Sequence, residues 1–252
     1  VVVLTVTSGG PFLFAGLVGL MAGIAMLEFY RMAMPDRLPE SRLAAICGGL
    51  MVFLPLLAGG SLLLPGVVAL FLLFSLLFLF RIRSIPDAAR DVAFATLSFI
   101  YIPLLLMHLV MLRQMTYGVQ WLLVIMLIVM SNDSLAYYSG RALGRHRLYP
   151  SVSPNKSVEG ALGGVLGSIL GTLVARYTFF PQLSLADALV TAVFIGILGQ
   201  TGDLFESLLK RSFGVKDSGT IFPGHGGVLD RLDSIIFAAP ATYYYATYFF
   251  KG

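Results

Sequence analysis

The chain has 252 residues, of which 58% are hydrophobic and 12% charged, with a formal net charge of +4. Soluble domains carry about 25% charge, and a folded surface in water cannot hide this many apolar side chains, so the composition excludes an ordinary soluble enzyme and points to a bilayer as solvent. The basic residues sit in short gaps between apolar stretches, which excludes a solvated nucleic-acid-binding domain and places the positive charge at a membrane surface facing anionic lipid.

In chain order, the opening VVVLTVTSGG reads as the tail of a span. Apolar stretches follow at 11–30, 43–59, 61–80, 92–111, 118–137, 157–175, 187–201 and 234–250. Most approach the ~20 residues that a helix needs to cross hydrocarbon; the stretch 187–201 is the shortest. The expected fold is an all-α, polytopic transmembrane helical bundle of about eight to nine spans. Residues 1–117 form N-terminal membrane helices, and residues 118–252 form C-terminal ones carrying the polar loops 131–160 and 201–234. Gly163, Gly167 and Gly171 recur every four residues beside Gly164, giving one helix a smooth strip for close packing. Cys47 is alone, so no internal disulfide is expected, and His108 reads as a satisfied histidine within a span.

Charge placement gives an orientation. One set of loops (31–42, 81–91, 138–156 and 202–233) holds 14 of the 17 Lys and Arg residues. The other side holds only Arg113, Arg176 and Lys251. The bias predicts that the first set faces the cytoplasm.

Two of those regions are unlike ordinary connections. Ser131–Gly160 and Thr201–Ser234 together hold Asp133, Glu159, Asp203, Glu206, Asp217, Asp230 and Asp233, seven of the 13 acidic residues. Asp133 and Asp203 fall at the ends of apolar runs, and Asp230 and Asp233 fall just before the last one. A carboxylate at such depth is costly unless it is paired, wet or metal-bound. Asp230 and Asp233 are three apart and share a helix face, as do Asp203 and Glu206. Several carboxylates at one membrane face suggest a hard cation such as magnesium, which takes one or two carboxylates plus substrate phosphates. A zinc site is not expected, because no His or Cys cluster has the usual spacing. Lys210, Arg211, Lys216 and Arg231 suit phosphate oxygens. Gly224, Gly226 and Gly227 flank His225, where backbone amides can approach a phosphate or nucleotide. The string is neither a Walker A loop nor a dinucleotide fingerprint. Glu159 stands one position early for a capping box with Ser157, and is expected either to favour the helix N-terminus or to serve the site.

The second region, SLLKRSFGVKDSGTIFPGHGGVLDRLD from Ser207 to Asp233, resembles the signature of the phosphatidate cytidylyltransferases, the CDP-diacylglycerol synthases. The first region is similar too, in Asp133 to Tyr137 and in SPNKSVEG from Ser153, with Asn155 where many relatives have Lys. The resemblance implies transfer of the cytidylyl group of CTP to phosphatidic acid, giving CDP-diacylglycerol and pyrophosphate. It implies magnesium held by Asp203 and Asp230, with a second cation such as potassium beside it. On this reading Lys210, Arg211, Lys216 and Arg231 hold phosphates, and Asp217 and Asp233 orient ligands. Ser207, Lys156, Asp133, His225, Gly226 and Gly227 are candidate substrate contacts. The expected place is the plasma (inner) membrane, multi-pass, with the site facing the cytoplasm. The family resemblance also allows a homodimer. The alternatives are a nucleotidyltransferase acting on another lipid phosphate and, in another class, a secondary transporter, whose charges would gather near the bilayer midplane rather than at one face.

Overall fold

The structure is a computed structural model that describes residues 7, 9–58, 63–80, 84–221 and 226–252. The opening fragment 1–9 therefore falls mostly outside the described residues. Helix α1 is Pro11–Ala33, and a 3-10 turn at Pro35–Arg37 leads to α2, Leu38–Met51. Short α3 (Leu54–Ala58) precedes α4 (Leu63–Phe80). Helices α5 (Ile85–Phe99) and α6 (Leu105–Arg113) are joined by a π turn at Ile100–Leu104. Then come α7 (Gly118–Leu143), the strands β1 (Arg147–Tyr149) and β2 (Ser153–Ser157), α8 (Val158–Thr178), α9 (Leu185–Ser212) and α10 (Leu229–Tyr248). The fold is a polytopic membrane helical bundle. Among the described residues, five helices are long and apolar enough to cross a membrane: α1, the continuous Ile85–Arg113, α7, α8 and α9.

Several expected boundaries change. The stretch 43–59 is not one span: its helix breaks after Met51 and resumes at Leu54, beside Pro55. The stretch 92–111 belongs to a longer helix with Pro103 inside its π turn. Proline has no N–H to give the ladder, and a wider turn accommodates the missing bond. The stretch 187–201, expected to be the shortest, lies in a much longer helix, the 28-residue α9. At 1.5 Å per residue, α9 is about 42 Å long, well over the ~30 Å of hydrocarbon. Its polar last third is helical because no breaker intervenes before Gly214, whose φ is 72°. Residues 201–212 and 131–143 are thus helix extensions, and the true connections there are shorter than the expected loops 201–234 and 131–160.

The described chain forms two compact units. One comprises Leu112–Lys216 and Leu232–Gly252. In it α8 packs closely on α7 along the glycine strip. A Cβ at Gly171 would lie 3.0 Å from the Leu127 carbonyl oxygen, and one at Gly167 would lie 2.8 Å from the Ser131 carbonyl carbon. The strip therefore does what its spacing predicts, bringing two backbones together. A buried polar chain ties in α9. The Gln200 side-chain amide donates to Asn132 Oδ1 at 2.9 Å and to the Ala161 carbonyl at 3.0 Å, and Asn132 Nδ2 donates to Ser168 Oγ at 2.8 Å. Far along the same unit, Trp121, Phe180, Tyr245 and Phe250 form an aromatic cluster.

The other unit comprises Ser8–Met111 and Asp217–Arg231. Here α1 packs on α2 through Gly19 and Gly49, and the Tyr30 hydroxyl meets Ser98 Oγ at 2.6 Å.

Overpacking the glycine strip gives one stability prediction. Gly167→Leu is expected to cost about 1–3 kcal/mol and to lower the melting temperature in detergent. Leu166→Ala, on the exposed neighbouring face, is expected to leave it unchanged. Equal melting temperatures for the two variants would contradict the close α7–α8 contact.

Candidate active site

In the first unit a cavity of about 610 Å³ opens among the ends of α7, α8 and α9 and the β hairpin. That volume lies within the range of small-molecule sites. Three expected residues line it: Asp133 from α7, Lys156 from β2 and Asp203 from α9. Lys156 Nζ lies 2.5 Å from Asp203 Oδ2, and both side chains are partly exposed. The pairing depends on the hairpin. Strands β1 and β2 run antiparallel, and Ser157 at the end of β2 caps α8 by accepting from the Gly160 amide at 3.1 Å. Lys156, one residue before that cap, is thereby fixed beside α9.

Glu159 resolves into a structural role. It accepts from the Arg145 amide at 3.1 Å and meets His146 Nδ1 at 2.6 Å, so it secures the start of the hairpin. The exposed His146 belongs to the same contact.

The extension of α9 gathers much of the sequence signature on one helix. Asp203, Glu206, Ser207 and Lys210 follow the i, i+3, i+4, i+7 spacing of a single face. Lys210, expected to hold phosphate, is buried, and its Nζ donates to the fully buried Glu206 at 2.6 Å. Arg211 reaches the Val152 carbonyl at 3.4 Å and the Val215 carbonyl at 3.1 Å, tying the hairpin to the end of α9. Ser207 is half-buried on α9, and Lys216 is exposed after it. Asp233 is half-buried and accepts from the Ser234 amide at 2.6 Å. It lies within electrostatic range of Asp203, Asp133 and Lys210.

The second unit holds the other half of the signature. Asp217 and Arg231 are exposed there. Asp230 Oδ2 accepts from the Gly227 amide at 2.7 Å, from the Ser218 amide at 2.9 Å and from the Ser218 hydroxyl at 2.8 Å. Gly226 has a φ of 79°, a left-handed turn that favours glycine. Its missing side chain also leaves room for the Asp230 carboxylate, whose Cγ would lie 3.0 Å from a Cβ there. His225 and Gly224 fall outside the described residues.

Reading the sequence did not single out Arg141, Arg147 or Gln200 for this cavity, yet all three line it. A signal existed for Arg141. Asp133, Tyr137 and Arg141 recur every four residues and so lie on one side of α7. For Gln200 and Arg147 the sequence offers no such periodicity.

The donor set fits a hard cation that arrives with phosphates. Among the described residues no group of three or more His, Cys, Asp or Glu side chains converges to hold an ion by protein ligands alone. Magnesium does not need such a cage, because phosphate and water oxygens complete its shell. A carboxylate such as Asp203, at a cavity that also presents Asp133 and cationic side chains, has the chemistry for that mode.

Comparison with known proteins agrees with the signature. The description "Cytidylyltransferase family" belongs to a family profile that matches residues 1–249. The chain is 37% identical to a phosphatidate cytidylyltransferase of Staphylococcus saprophyticus over 225 residues, 88% of this chain and 85% of that one. It is 37% identical to the phosphatidate cytidylyltransferase of Bacillus subtilis over 155 residues, 61% of this chain and 58% of that one. The Staphylococcus haemolyticus enzyme of the same name is 36% identical over 88% of this chain and 85% of its own length. With a signature of fixed polar residues, a helical membrane scaffold and a match over nearly its whole length, the chain belongs to the cytidylyltransferase family.

Proposed function

We propose that the chain transfers the cytidylyl group of CTP to phosphatidic acid in the membrane, giving CDP-diacylglycerol and pyrophosphate. The observation that carries this reading is the match to phosphatidate cytidylyltransferases over 88% of the chain, joined to a polar cavity at the ends of membrane helices. The lipid phosphate oxygen attacks the α-phosphorus of CTP. The bond from that phosphorus to the oxygen bridging to the β-phosphorus breaks, and pyrophosphate leaves with the electron pair. No protein nucleophile is needed.

Both reactants are anionic, so the chain has to offset their repulsion. Lys156, Arg141 and Arg147 line the cavity and can meet phosphate oxygens. Lys156 has a second task, since its contact with Asp203 holds that carboxylate toward the cavity until substrate competes for the ammonium. Magnesium, when bound, neutralises phosphate charge as the transition state develops. Asp203 is proposed to hold it at the cavity, and Asp230 is proposed as a metal ligand from the sequence signature. Asp133 lines the same cavity as Asp203 and adds a second carboxylate that favours a cation. We place the site at the cytoplasmic face on the strength of the Lys and Arg bias, where CTP is dissolved and the lipid headgroup reaches the interface. The bacterial relatives support the plasma membrane as the compartment.

The test is a comparison of nucleotides with protein in detergent, supplied with phosphatidic acid. The expected result is a lipid nucleotide from CTP and none from ATP, GTP or UTP. Chelation of magnesium is expected to abolish the product, and restored magnesium to bring it back. Equal product from another nucleotide would overturn the cytidylyl assignment. Product that survives chelation would overturn the metal role.

A further inference from the structure

Glu28 lies outside the signature and its neighbouring loops, in the last two turns of α1, and is only 1% exposed. A buried ionisable group within a membrane helix is costly unless it finds partners. Glu28 finds them in the unit it shares with the signature turn. Its Oε1 accepts from the Val228 amide at 3.0 Å. Its Oε2 accepts from the Leu229 amide at 2.8 Å and from the Ser218 hydroxyl at 3.3 Å.

Two of those donors are amides at the N-terminus of α10, which lack intrahelical partners. The residues leading into α10 are Gly226, Gly227 and Val228, so no Ser, Thr, Asp or Asn directly precedes the helix as its cap. Glu28 supplies the missing acceptor from a distant helix, with a charge of the sign that this helix end favours. Room for it is built in, since a Cβ at Gly227 would lie 2.5 Å from both Glu28 oxygens, and one at Gly219 would also collide with the carboxylate. These glycines therefore have a reason to be small that is separate from phosphate contact.

The same turn is gripped by Asp230. The Ser218 hydroxyl lies 2.8 Å from Asp230 Oδ2 and 3.3 Å from Glu28 Oε2, and it has one proton to share between them. Glu28 and Asp230 thus hold one turn through one serine. We propose that Glu28 is a positioning residue for the reaction: it pins Ser218 to residues 226–229 at the start of α10 and so fixes the carboxylate of Asp230. The inference rests on the cytidylyl-transfer reading for its consequence, though not for its geometry.

The experiment joins hydrogen exchange to kinetics on the full chain in detergent, for wild type and Glu28→Gln. Gln keeps the size but turns one acceptor into a donor facing donors. Losing hydrogen bonds to a charged group is expected to speed exchange at the Val228 and Leu229 amides by about 10- to 100-fold. Amides of α7, α8 and α9 are expected to exchange as in wild type. In the same variant kcat is expected to fall about tenfold, a 1.4 kcal/mol effect. The magnesium concentration at half activity is expected to rise, and KM for phosphatidic acid to stay as it was. If Glu28→Gln fails to fold, Ser218→Ala deletes the shared hydroxyl and leaves both carboxylates, and the same directions are expected at about threefold. Unchanged exchange at 228 and 229 overturns the inference. So does faster exchange with wild-type kcat and magnesium dependence. If the wild-type chain forms no lipid nucleotide, the positioning role falls with the reaction, and the exchange result still decides separately whether Glu28 holds the turn.

Discussion

Asp203→Asn is expected to lower kcat for CDP-diacylglycerol formation by about 10²–10³-fold, the usual scale for removing one electrostatic contact made to a transition state. Asn has the shape of Asp, so α9 and its packing on α8 remain. What is lost is the negative charge beside Lys156, 2.5 Å away, and the oxygen ligand offered to a cation at the cavity. KM for phosphatidic acid is expected to change little, because the cationic side chains that line the cavity, Lys156, Arg141 and Arg147, remain to meet its phosphate. Steady-state assays at saturating magnesium check the split. A variant within about threefold of wild type would remove Asp203 from the chemistry.

Asp230→Asn gives the second large effect, and it separates charge from architecture. Three donors converge on a single oxygen of Asp230, from the Gly227 amide, the Ser218 amide and the Ser218 hydroxyl. An Asn that turns its carbonyl oxygen to that point keeps an acceptor for the turn while losing the charge. The expected outcome is a fold that melts within a few degrees of wild type, with activity reduced by about 10²-fold. Asp230→Ala removes the acceptor as well, and is expected to destabilise the protein by about 1–3 kcal/mol through the donors left unsatisfied. Melting curves and initial rates on both variants check this. If Asn and Ala lower the melting temperature equally, the carboxylate acts mainly through its charge on the turn. If Asn retains full activity, Asp230 has no charge-dependent role in the reaction.

The sequence made the membrane class, the helical architecture and the strip of Gly163, Gly167 and Gly171 legible, because each depends on composition or on a period of four along one helix. The ends of the helices were not legible in the same way. Apolar residues stop where hydrocarbon stops, but backbone hydrogen bonding continues, so α7 and α9 run through polar residues that read as loops. For the same reason Lys210 was expected in a phosphate-binding loop, whereas it is buried on α9 beside Glu206. Asp133 and Asp203 were found from their placement at span ends and Lys156 from the polar SPNKSVEG stretch, and the structure brings them to one cavity. The polar chain from Gln200 through Asn132 to Ser168 joins three helices, and nothing local encodes which helices meet. Glu28 did leave a signal, an isolated acid in the apolar run AMLEFY. Its partners lie about 190–200 positions further along, beyond the reach of any local pattern.

Cytidylyl transfer to phosphatidic acid moves the α-phosphorus of CTP into lipid. The direct measurement supplies the protein in detergent with CTP labelled at the α-phosphorus, phosphatidic acid and magnesium, and follows label into lipid alongside pyrophosphate. The expected result is labelled CDP-diacylglycerol with one pyrophosphate released for each lipid formed, and none from diacylglycerol, which lacks the attacking phosphate. Folded protein that leaves all label in water-soluble nucleotide would contradict it.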